Sequence, residues 1–267
     1  MVSMNLKSYF QRIGYTGPTA PTIETLNGIT EAHTKSIAFE NLDVILGKRI
    51  DLSNEALFDK LVTKKRGGYC FEQNGLLLHA LESLGFDAKP LSARVRLRFA
   101  SREPDAPRTH MFVRVELGAE SFLTDVGMGA GSLTKALKLI ADIEQETPHD
   151  TRRIVQDKGR WYQQVRHGNT WQDANEFTLE EMPLIDREVA NWYTSAHPQS
   201  HFKSNIIAAR AIDDGQRITL QDMEFTKRAR NGESQKRLLK NRDELIDVLT
   251  NDFGLTLTSS DRERLQR

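Results

Sequence analysis

The spacing of the apolar residues changes near residue 87, and this change limits the fold more than any other feature. Between Cys70 and Gly85, apolar residues recur at three- and four-residue steps, as on one face of an α-helix that ends at a glycine. They are Leu76, Leu77, Ala80, Leu81 and Leu84. Beyond residue 87 the period is two, with apolar Leu91, Ala93, Val95 and Leu97 alternating with polar Ser92, Arg94, Arg96 and Arg98. This alternation indicates a half-buried strand, so a helical region precedes an antiparallel sheet.

Similar patterns divide the rest of the chain. The sheet continues in a hairpin around Gly118-Ala119, with arms at 111–117 and 121–126, and in strands near 153–156 and 161–166. Further on, the patterns predict a helix near 179–192, a hairpin from 206–211 and 218–225, and a closing helix over 243–253. The chain therefore predicts an α+β protein of three parts: a helical bundle over 1–86, an antiparallel barrel or sheet over 87–190, and a small α/β unit over 191–267.

The composition limits the classes of partner. The 267 residues carry 37 Lys+Arg and 37 Asp+Glu, so the formal net charge is zero and nucleic acid or an anionic membrane is not an expected partner. No apolar stretch is long enough for a membrane helix, and the polar first residues lack the core of a signal peptide, which predicts a soluble cytoplasmic protein. Cys70 is the single cysteine, which rules out an internal disulfide and a cysteine-rich zinc cluster. No metal is expected, and the sequence does not indicate an oligomeric state.

Cys70 is the candidate nucleophile. It lies where the predicted helix begins, and a helix N-terminus favours the thiolate form of a cysteine. Gly67 and Gly68, just before it, permit the close approach of another chain segment or a ligand. The alternative is a buried cysteine that acts as a small apolar side chain.

A thiolate nucleophile needs a base and a group that orients the base. His110 opens a strand after the polar loop 101–108, which puts it at the rim of the sheet. If Gly118-Ala119 forms a two-residue turn, Asp125 opposes Phe112 and lies diagonally across from His110 on the same face. A three-residue turn would put the two side chains on opposite faces. A packed strand histidine and a turn-capping carboxylate are the alternatives.

Other polar features give weaker signals. The glycines of 127–131 would let backbone N–H groups approach a phosphate or an acyl oxygen, but a tight turn explains them equally well. His79 lies in mid-helix, away from the thiol, whereas His197 and His201 either face a pocket or lie in a solvated loop. The basic run 227–230 is predicted to be solvated surface rather than a phosphate site.

Residues 66–74 read Arg-Gly-Gly-Tyr-Cys-Phe-Glu-Gln-Asn, which resembles the active-site signature of the arylamine N-acetyltransferases, Arg-Gly-Gly-x-Cys-x-Glu-x-Asn. Further blocks follow in the family's order over nearly the whole chain: Phe39-Glu40-Asn41-Leu42, Thr109-His110, Thr124-Asp125-Val126-Gly127, Asn191-Trp192-Tyr193 and residues 195–202. The resemblance implies a triad of Cys70, His110 and Asp125. It also implies a fold of helical bundle, β-barrel and α/β lid, related to cysteine proteases and transglutaminases.

The resemblance further implies a ping-pong reaction. The cysteine takes the acetyl group from acetyl-CoA, the co-substrate, and an arylamine, arylhydrazine or N-hydroxyarylamine then attacks the thioester. The implied acceptor-binding residues are Phe39, Tyr69, Val95, Thr109, Met128, Gly129 and Phe202, and the implied acetyl-CoA-binding residues are Gly127 and Gly129. Two residues depart from the family pattern. Ala38 replaces the usual proline, which would loosen that turn, and Met128 replaces the usual phenylalanine, which would make the pocket more pliable.

The same residues permit other functions and other roles. A thiol hydrolase or transglutaminase-like enzyme uses the same triad with water or amines as acceptors. A non-catalytic protein that binds CoA or an aromatic ligand would keep the pocket without turnover. Within the signature, Arg66 is expected to form a structural ion pair rather than to meet substrate. Glu72 and Asn74 are expected to support the helix start rather than to perform chemistry.

Overall fold

The structure is a computed structural model that describes residues 4–97 and 99–266. Arg98, the last residue of the predicted alternating strand, lies outside the described residues. Helices occupy the first part of the chain: α1 (Leu6–Ile13), α2 (Ile23–Ser36), α3 (Leu42–Ile45), α4 (Asn54–Phe58), which continues as a π-helical turn over Asp59–Thr63, and α5 (Cys70–Ser83). A two-residue strand, β1 (Phe39–Glu40), lies between α2 and α3.

Helix α5 is the central element of the helical region. Leu76, Leu77 and Leu81 on its predicted apolar face are fully buried. The helix closes at Leu84, and Gly85 follows with a φ of 85°, in the left-handed region that favours glycine. The predicted helix and its glycine terminus are therefore confirmed, and Cys70 is its first residue.

Eight strands form one antiparallel sheet: β2 (Asp87–Val95), β3 (His110–Leu117), β4 (Glu120–Thr124), β5 (Leu137–Lys138), β6 (Gln145–Glu146), β7 (Thr151–Asp157), β8 (Arg160–His167) and β9 (Thr170–Glu181). Their order is β5-β4-β3-β2-β9-β8-β7-β6. The Gln145 side chain joins the two edge strands, because its Nε2 donates to the Lys138 carbonyl at 2.9 Å and its Oε1 accepts from the Lys138 N–H at 2.8 Å. The sheet is thus a nearly closed barrel, as predicted.

The hairpin between β3 and β4 has the two-residue turn on which the triad prediction depended. Val113 pairs with Thr124 and Leu117 pairs with Glu120, so the turn contains only Gly118 and Ala119. Gly118 takes a φ of 62°, which a glycine adopts without steric cost. This register brings the end of β4 beside the start of β3.

A second antiparallel sheet contains strands from both ends of the chain. After α6 (Leu184–Ala196) come β10 (Ile207–Ala211), β11 (Arg217–Gln221), β12 (Glu224–Arg228), β13 (Ser234–Leu238), α7 (Arg242–Asp247), which continues as a π-helical turn over Val248–Asp252, and α8 (Ser259–Gln266). The strand order is β1-β10-β11-β12-β13. Since β1 pairs with β10, the N-terminal part of the chain completes the C-terminal sheet.

The predicted boundaries of this region were wrong in two places. The segment predicted as a helix from residue 179 remains in β9 until Glu181, and α6 starts only after Pro183, which caps the helix and lacks the N–H that a strand would use. The predicted arm 218–225 is two strands, β11 and β12, separated by a turn in which Asp222 has a φ of 52°.

Two further observations concern the domain plan. The predicted boundary at residue 190 falls inside α6, and the division into three parts stays a prediction. Across residues 4–97 and 99–266, no helix combines the length and the apolar character needed to cross a membrane.

Candidate active site

Cys70 lines a cavity of about 550 Å³ at the start of α5. The preceding residue, Tyr69, is the N-cap, and its N–H donates to the Glu72 carboxylate at 3.1 Å. This contact is half of a capping box, which fixes the first turn of a helix. Glu72 therefore supports the helix start, as predicted. Cys70 is only 4% exposed, and it is the cavity that connects its thiol to solvent.

Two glycines allow the chain before Cys70 to pack closely on other segments. A Cβ at Gly67 would lie 2.1 Å from the Ala38 carbonyl oxygen, and one at Gly68 would lie 2.7 Å from Glu72 Oε2. Both distances are shorter than van der Waals contact, so a side chain at Gly67 would displace the backbone at Ala38 and one at Gly68 would displace the Glu72 side chain. The predicted close approach of another segment is confirmed, and that segment includes Ala38.

His110 and Asp125 form a buried pair beside the thiol. His110 Nε2 lies 2.6 Å from Asp125 Oδ2, and the Cys70 Sγ donates to the carbonyl of Thr109 at 3.6 Å. Burial alone would lower the pKa of His110, but the Asp125 carboxylate, with smaller contributions from Cys70, raises it to about 10. The structure thus brings together the three predicted triad residues.

Asn74 orients the carboxylate of this pair, which corrects the role predicted for it at the helix start. Its Nδ2 donates to Asp125 Oδ1 at 2.9 Å and to the Met111 carbonyl at 2.6 Å. Its Oδ1 accepts the N–H of Val126 at 2.9 Å. One side chain on α5 therefore holds the Asp125 carboxylate, the backbone of β3 at Met111 and the backbone N–H of Val126. Asn74 and Asp125 are 51 positions apart in the sequence.

Gly127 packs directly against the start of α5. A Cβ there would lie 2.8 Å from the Cys70 Cα and 2.6 Å from the Asn74 amide nitrogen. Its N–H donates to Asp125 Oδ1 at 3.0 Å. This N–H therefore holds the carboxylate rather than pointing to a bound phosphate.

Six of the seven residues predicted to bind the acceptor line the cavity: Phe39, Val95, Thr109, Met128, Gly129 and Phe202. Tyr69 is not part of the lining. Its ring is fully buried, stands edge-on to Phe202 with centroids 5.9 Å apart, and its hydroxyl donates to the Asn191 side chain. Tyr69 therefore packs against a residue of the lining, Phe202, without lining the cavity itself.

Sequence reasoning missed other residues of the lining. Tyr193 lies in the last turn of α6 and Gln199 lies just beyond the helix. Leu97, Phe99 and Pro107 come from the two ends of the connection between β2 and β3. The family-like blocks 191–193 and 195–202 were the sequence signals for Tyr193 and Gln199. His201 also lines the cavity and is exposed, so both environments considered for it apply.

A second ionic cluster lies behind the start of α5, and Arg66 is its centre. The Arg66 guanidinium contacts Glu40 at 2.9 Å, Asp43 at 3.3 Å and Asp261 of α8 at 3.5 Å. Lys60 bridges Asp43 at 2.8 Å and Glu72 at 2.6 Å. The predicted structural ion pair of Arg66 is confirmed, and it forms part of a larger buried network.

Two other histidines have structural partners that no sequence spacing indicated. His33 is buried between the Tyr9 hydroxyl at 2.8 Å and Gln73 Oε1 at 2.7 Å, and burial lowers its pKa to about 4. His149 Nδ1 lies 3.0 Å from the Thr134 hydroxyl, and its Nε2–H donates to the Ile212 carbonyl at 2.8 Å. In the described parts of the chain, no group of three or more His, Cys, Asp or Glu side chains is placed to hold a metal ion.

An arginine-lined cavity of about 500 Å³ adjoins the Cys70 cavity and shares Leu97 and Ala130 with it. Its lining includes Arg152, Arg166, Arg217, Arg228 and Arg230. Arg152 and Arg217 both contact Asp150, at 2.7 and 3.0 Å. Arg152 is buried, yet its Nη1 has no hydrogen-bond partner among the described residues. Arg228 and Arg230 are exposed, as predicted for the basic run, but they also face this cavity.

Comparison with known proteins identifies the family. A sequence model described as N-acetyltransferase matches residues 22–262. An arylamine N-acetyltransferase of Mycolicibacterium smegmatis is 40% identical over 261 residues, which cover 96% of this chain and 94% of the relative. The chain belongs to the arylamine N-acetyltransferase family. It is therefore an acyltransferase.

Two further relatives extend the comparison. The Salmonella typhimurium family member named arylamine N-acetyltransferase / N-hydroxyarylamine O-acetyltransferase is 37% identical over 250 residues, or 94% of this chain and 88% of that protein. The solved structure of the Mycobacterium marinum arylamine N-acetyltransferase in complex with CoA superposes with a TM-score of 0.92 at 36% identity, covering 98% of this chain and 97% of that one.

Proposed function

We propose that this family member transfers the acetyl group of acetyl-CoA to aromatic amines through a thioester on Cys70. The observation that carries the proposal is the buried Cys70–His110–Asp125 arrangement at the wall of a largely apolar cavity. A cysteine at a helix start, with a histidine and a carboxylate supplied by antiparallel strands, also supports the predicted likeness to the cores of cysteine proteases and transglutaminases.

In this mechanism His110 is the proton donor of the first half-reaction and the proton acceptor of the second. Held beside Asp125, it shares a proton with Cys70, so the thiolate attacks the acetyl carbonyl while the imidazolium supplies a proton to the departing CoA thiol. In the second half-reaction the neutral imidazole accepts a proton from the attacking amine, the carbon–sulfur bond breaks and the Cys70 thiolate is restored. The first N–H groups of α5 and those near Met128 and Gly129 are the proposed donors to the transient oxyanion.

The cavity favours uncharged aromatic acceptors. Of the described residues that line it, none is Asp, Glu, Lys or Arg. Phe39 and Phe202 supply aromatic faces with centroids 6.2 Å apart. An arylamine, arylhydrazine or N-hydroxyarylamine is uncharged at neutral pH and enters without the cost of desolvating a charge, whereas an alkylammonium would bear that cost. We infer a cytoplasmic role in acetylating foreign aromatic amines.

The arginine-lined cavity fits the phosphates of the donor. It adjoins the Cys70 cavity at Leu97 and Ala130, and its lining carries five arginines against a single carboxylate, that of Asp150. Replacing Arg228 with Gln should raise KM for acetyl-CoA about three- to tenfold and leave KM for the amine unchanged. The control is Lys227→Gln, since Lys227 is an exposed neighbour that does not line the cavity. Equal effects of both variants would reject this placement.

Initial rates measured over a grid of acetyl-CoA and aniline concentrations test the transfer mechanism. A thioester intermediate predicts parallel double-reciprocal lines, and Cys70→Ser should lose transfer while the protein stays folded. Converging lines would mean that both substrates bind before any chemistry, and would reject the covalent mechanism. Release of free acetate without acetylated aniline would instead indicate a hydrolase.

A further inference from the structure

One face of α6 exposes apolar side chains to solvent. Ile185, Val189 and Trp192 are 62, 60 and 61% exposed, and Ala196, the last residue of the helix, is exposed on the same face. At about 100° of rotation per residue, these four positions fall within roughly 60° of arc. We call them the α6 stripe. The buried residues of the helix lie on its opposite side: Ala190, Asn191 and Thr194.

The α6 stripe has the character of an interaction surface. A single exposed apolar side chain is normal on a protein surface, whereas several on one face mark a place where another molecule docks. Leu184, which is 50% exposed, flanks the stripe and widens it. None of the four stripe residues lines the Cys70 cavity or the arginine-lined cavity, so substrate binding does not account for their exposure.

The order of side-chain sizes along the stripe is self-complementary in an antiparallel pair of helices. When a two-fold axis crosses the stripe midway between Val189 and Trp192, Val189 of one copy faces Trp192 of the other. In the same pair, Ile185 faces Ala196 of the second copy. A larger side chain therefore meets a smaller one at each level, which lets the two helices pack closely. A parallel pair would instead place Trp192 against Trp192.

The charges beside the stripe match the same antiparallel arrangement. Asp186 and Glu188 are exposed on either side of its N-terminal half. Lys203 is exposed at its C-terminal end, where the ammonium donates to the Ala196 carbonyl at 3.2 Å. Because Ala196 of one copy lies level with Ile185 of the other, each Lys203 comes next to the acidic half of the opposite helix.

We propose that the α6 stripe is the interface of a homodimer in which two α6 helices pack antiparallel about a two-fold axis. An anionic membrane fits less well, because its surface would repel Asp186 and Glu188. One helix face is smaller than the standard interface of about 800 Å² per partner, so we expect a transient dimer with a dissociation constant on the order of 10 μM. The stripe contains no triad residue, so the dimer does not depend on the acetyl-transfer reaction proposed above.

Sedimentation velocity of the full-length protein over about 1–300 μM tests the proposal, and the wild type should change from monomer to dimer within this range. Val189→Glu puts a carboxylate at the centre of the interface and should weaken association at least about tenfold. Ile143→Glu is the matched control, because Ile143 is 50% exposed in the connection between β5 and β6, and it should associate like the wild type. Circular dichroism shows whether each variant is folded.

Disulfide cross-linking tests the antiparallel register, in a Cys70→Ser background that removes the single cysteine. A mixture of Ile185→Cys and Ala196→Cys proteins should cross-link under mild oxidation, because the two positions face each other. Either protein alone should not, because the same residue in the two copies is about 16 Å apart along the helix axes, whereas a disulfide needs Cα atoms within about 7 Å.

Three results would overturn the proposal: a wild type that stays monomeric at about 300 μM, a folded Val189→Glu protein that associates like the wild type, or a mixture that cross-links no faster than either cysteine variant alone. Vesicles containing phosphatidylserine test the other occupant. A monomeric protein that sediments with these vesicles, and ceases to do so in Val189→Glu, would assign the stripe to a membrane surface and would also overturn the proposal.

Discussion

Two buried ionic clusters meet the start of α5, and they differ in whether they reach a cavity. The proposed catalytic cluster, called the catalytic cluster below, consists of His110, Asp125 and Asn74, with Cys70 and His110 on the wall of the Cys70 cavity. The structural cluster surrounds Arg66 and contains Glu40, Asp43, Lys60, Glu72 and Asp261. None of the structural cluster's members lines the Cys70 cavity.

Both clusters are built from buried ion pairs and hydrogen bonds, but their surroundings differ. In the structural cluster, each charged side chain faces one or more side chains of opposite charge. In the catalytic cluster, one carboxylate serves one imidazole, and the next group along is a thiol that opens to the cavity. Burial and ion pairing alone therefore do not mark a catalytic group. Access from the cavity to Cys70 is the feature that distinguishes the proposed catalytic cluster from the structural one.

The largest expected effect is on the catalytic cluster. Replacing Asp125 with Asn keeps the shape but removes the charge that holds the His110 imidazolium and its tautomer, and should lower kcat/KM about 10⁴-fold. The measurement is the rate of acetylation of aniline, with circular dichroism to show that the fold is kept. A loss of less than tenfold in a folded variant would contradict the role given to Asp125.

The converse change tests the structural cluster. Arg66→Met should lower the free energy of unfolding by about 3–5 kcal/mol, because it leaves the Glu40 carboxylate buried without its partner. The fraction that stays folded should keep its kcat within a few-fold. Urea denaturation and active-site titration measure the two quantities, and Arg49→Met, at an exposed arginine, is the control. A stable but inactive Arg66→Met protein would contradict the structural role and indicate that Arg66 takes part in the reaction.

An intermediate effect is expected for Asn74, which belongs to the catalytic cluster but touches no substrate. Asn74→Ala removes its hydrogen bonds to Asp125 and to the backbone at Met111 and Val126. At about 1.5–3 kcal/mol for a hydrogen bond to a charged group, kcat should fall roughly ten- to a hundredfold with little change in KM. Asn27→Ala, which removes a hydrogen bond to the Ala136 N–H that involves no triad residue, should leave kcat unchanged.

The smallest expected effect is the titration of His110. Its pKa of about 10 means that its NMR signal should cover only about a tenth of its full shift by pH 9, whereas a free imidazole would titrate near 6.5. Because the folded-state pKa lies above the unfolded one, the bound proton contributes stability that is complete below about pH 6.5 and is lost as pH rises through about 10. In Asp125→Asn the inflection should move down towards neutrality. A wild-type inflection below pH 7 would contradict the ion pair.

The sequence predicted local and short-range features well. The steps of three and four residues after Cys70 located α5, and the Gly118-Ala119 turn located Asp125 beside His110 because turn length alone determines hairpin register. The late start of α6 and the strand β13 escaped prediction. Pro183 stops β9 later than the apolar pattern indicated, and β13 is exposed at all five residues, so no alternation reveals it.

The periodicity of apolar residues could not predict contacts between residues far apart in the sequence. Asn74 meets Asp125 across 51 positions, and Arg66 meets Asp261 across 195. Tyr69 shows the same limit in the opposite direction. Family likeness placed it at the acceptor, whereas packing turns its hydroxyl to Asn191 and its ring beneath Phe202.

Intact-protein mass spectrometry after brief exposure to acetyl-CoA tests the account most directly, with Cys70→Ser alongside and a chase with aniline. The account predicts one acetyl group per wild-type chain, none on Cys70→Ser, and its removal by aniline as acetanilide. An acetyl group that also forms on Cys70→Ser, or that aniline does not remove, would contradict a thioester on Cys70 as the intermediate of transfer.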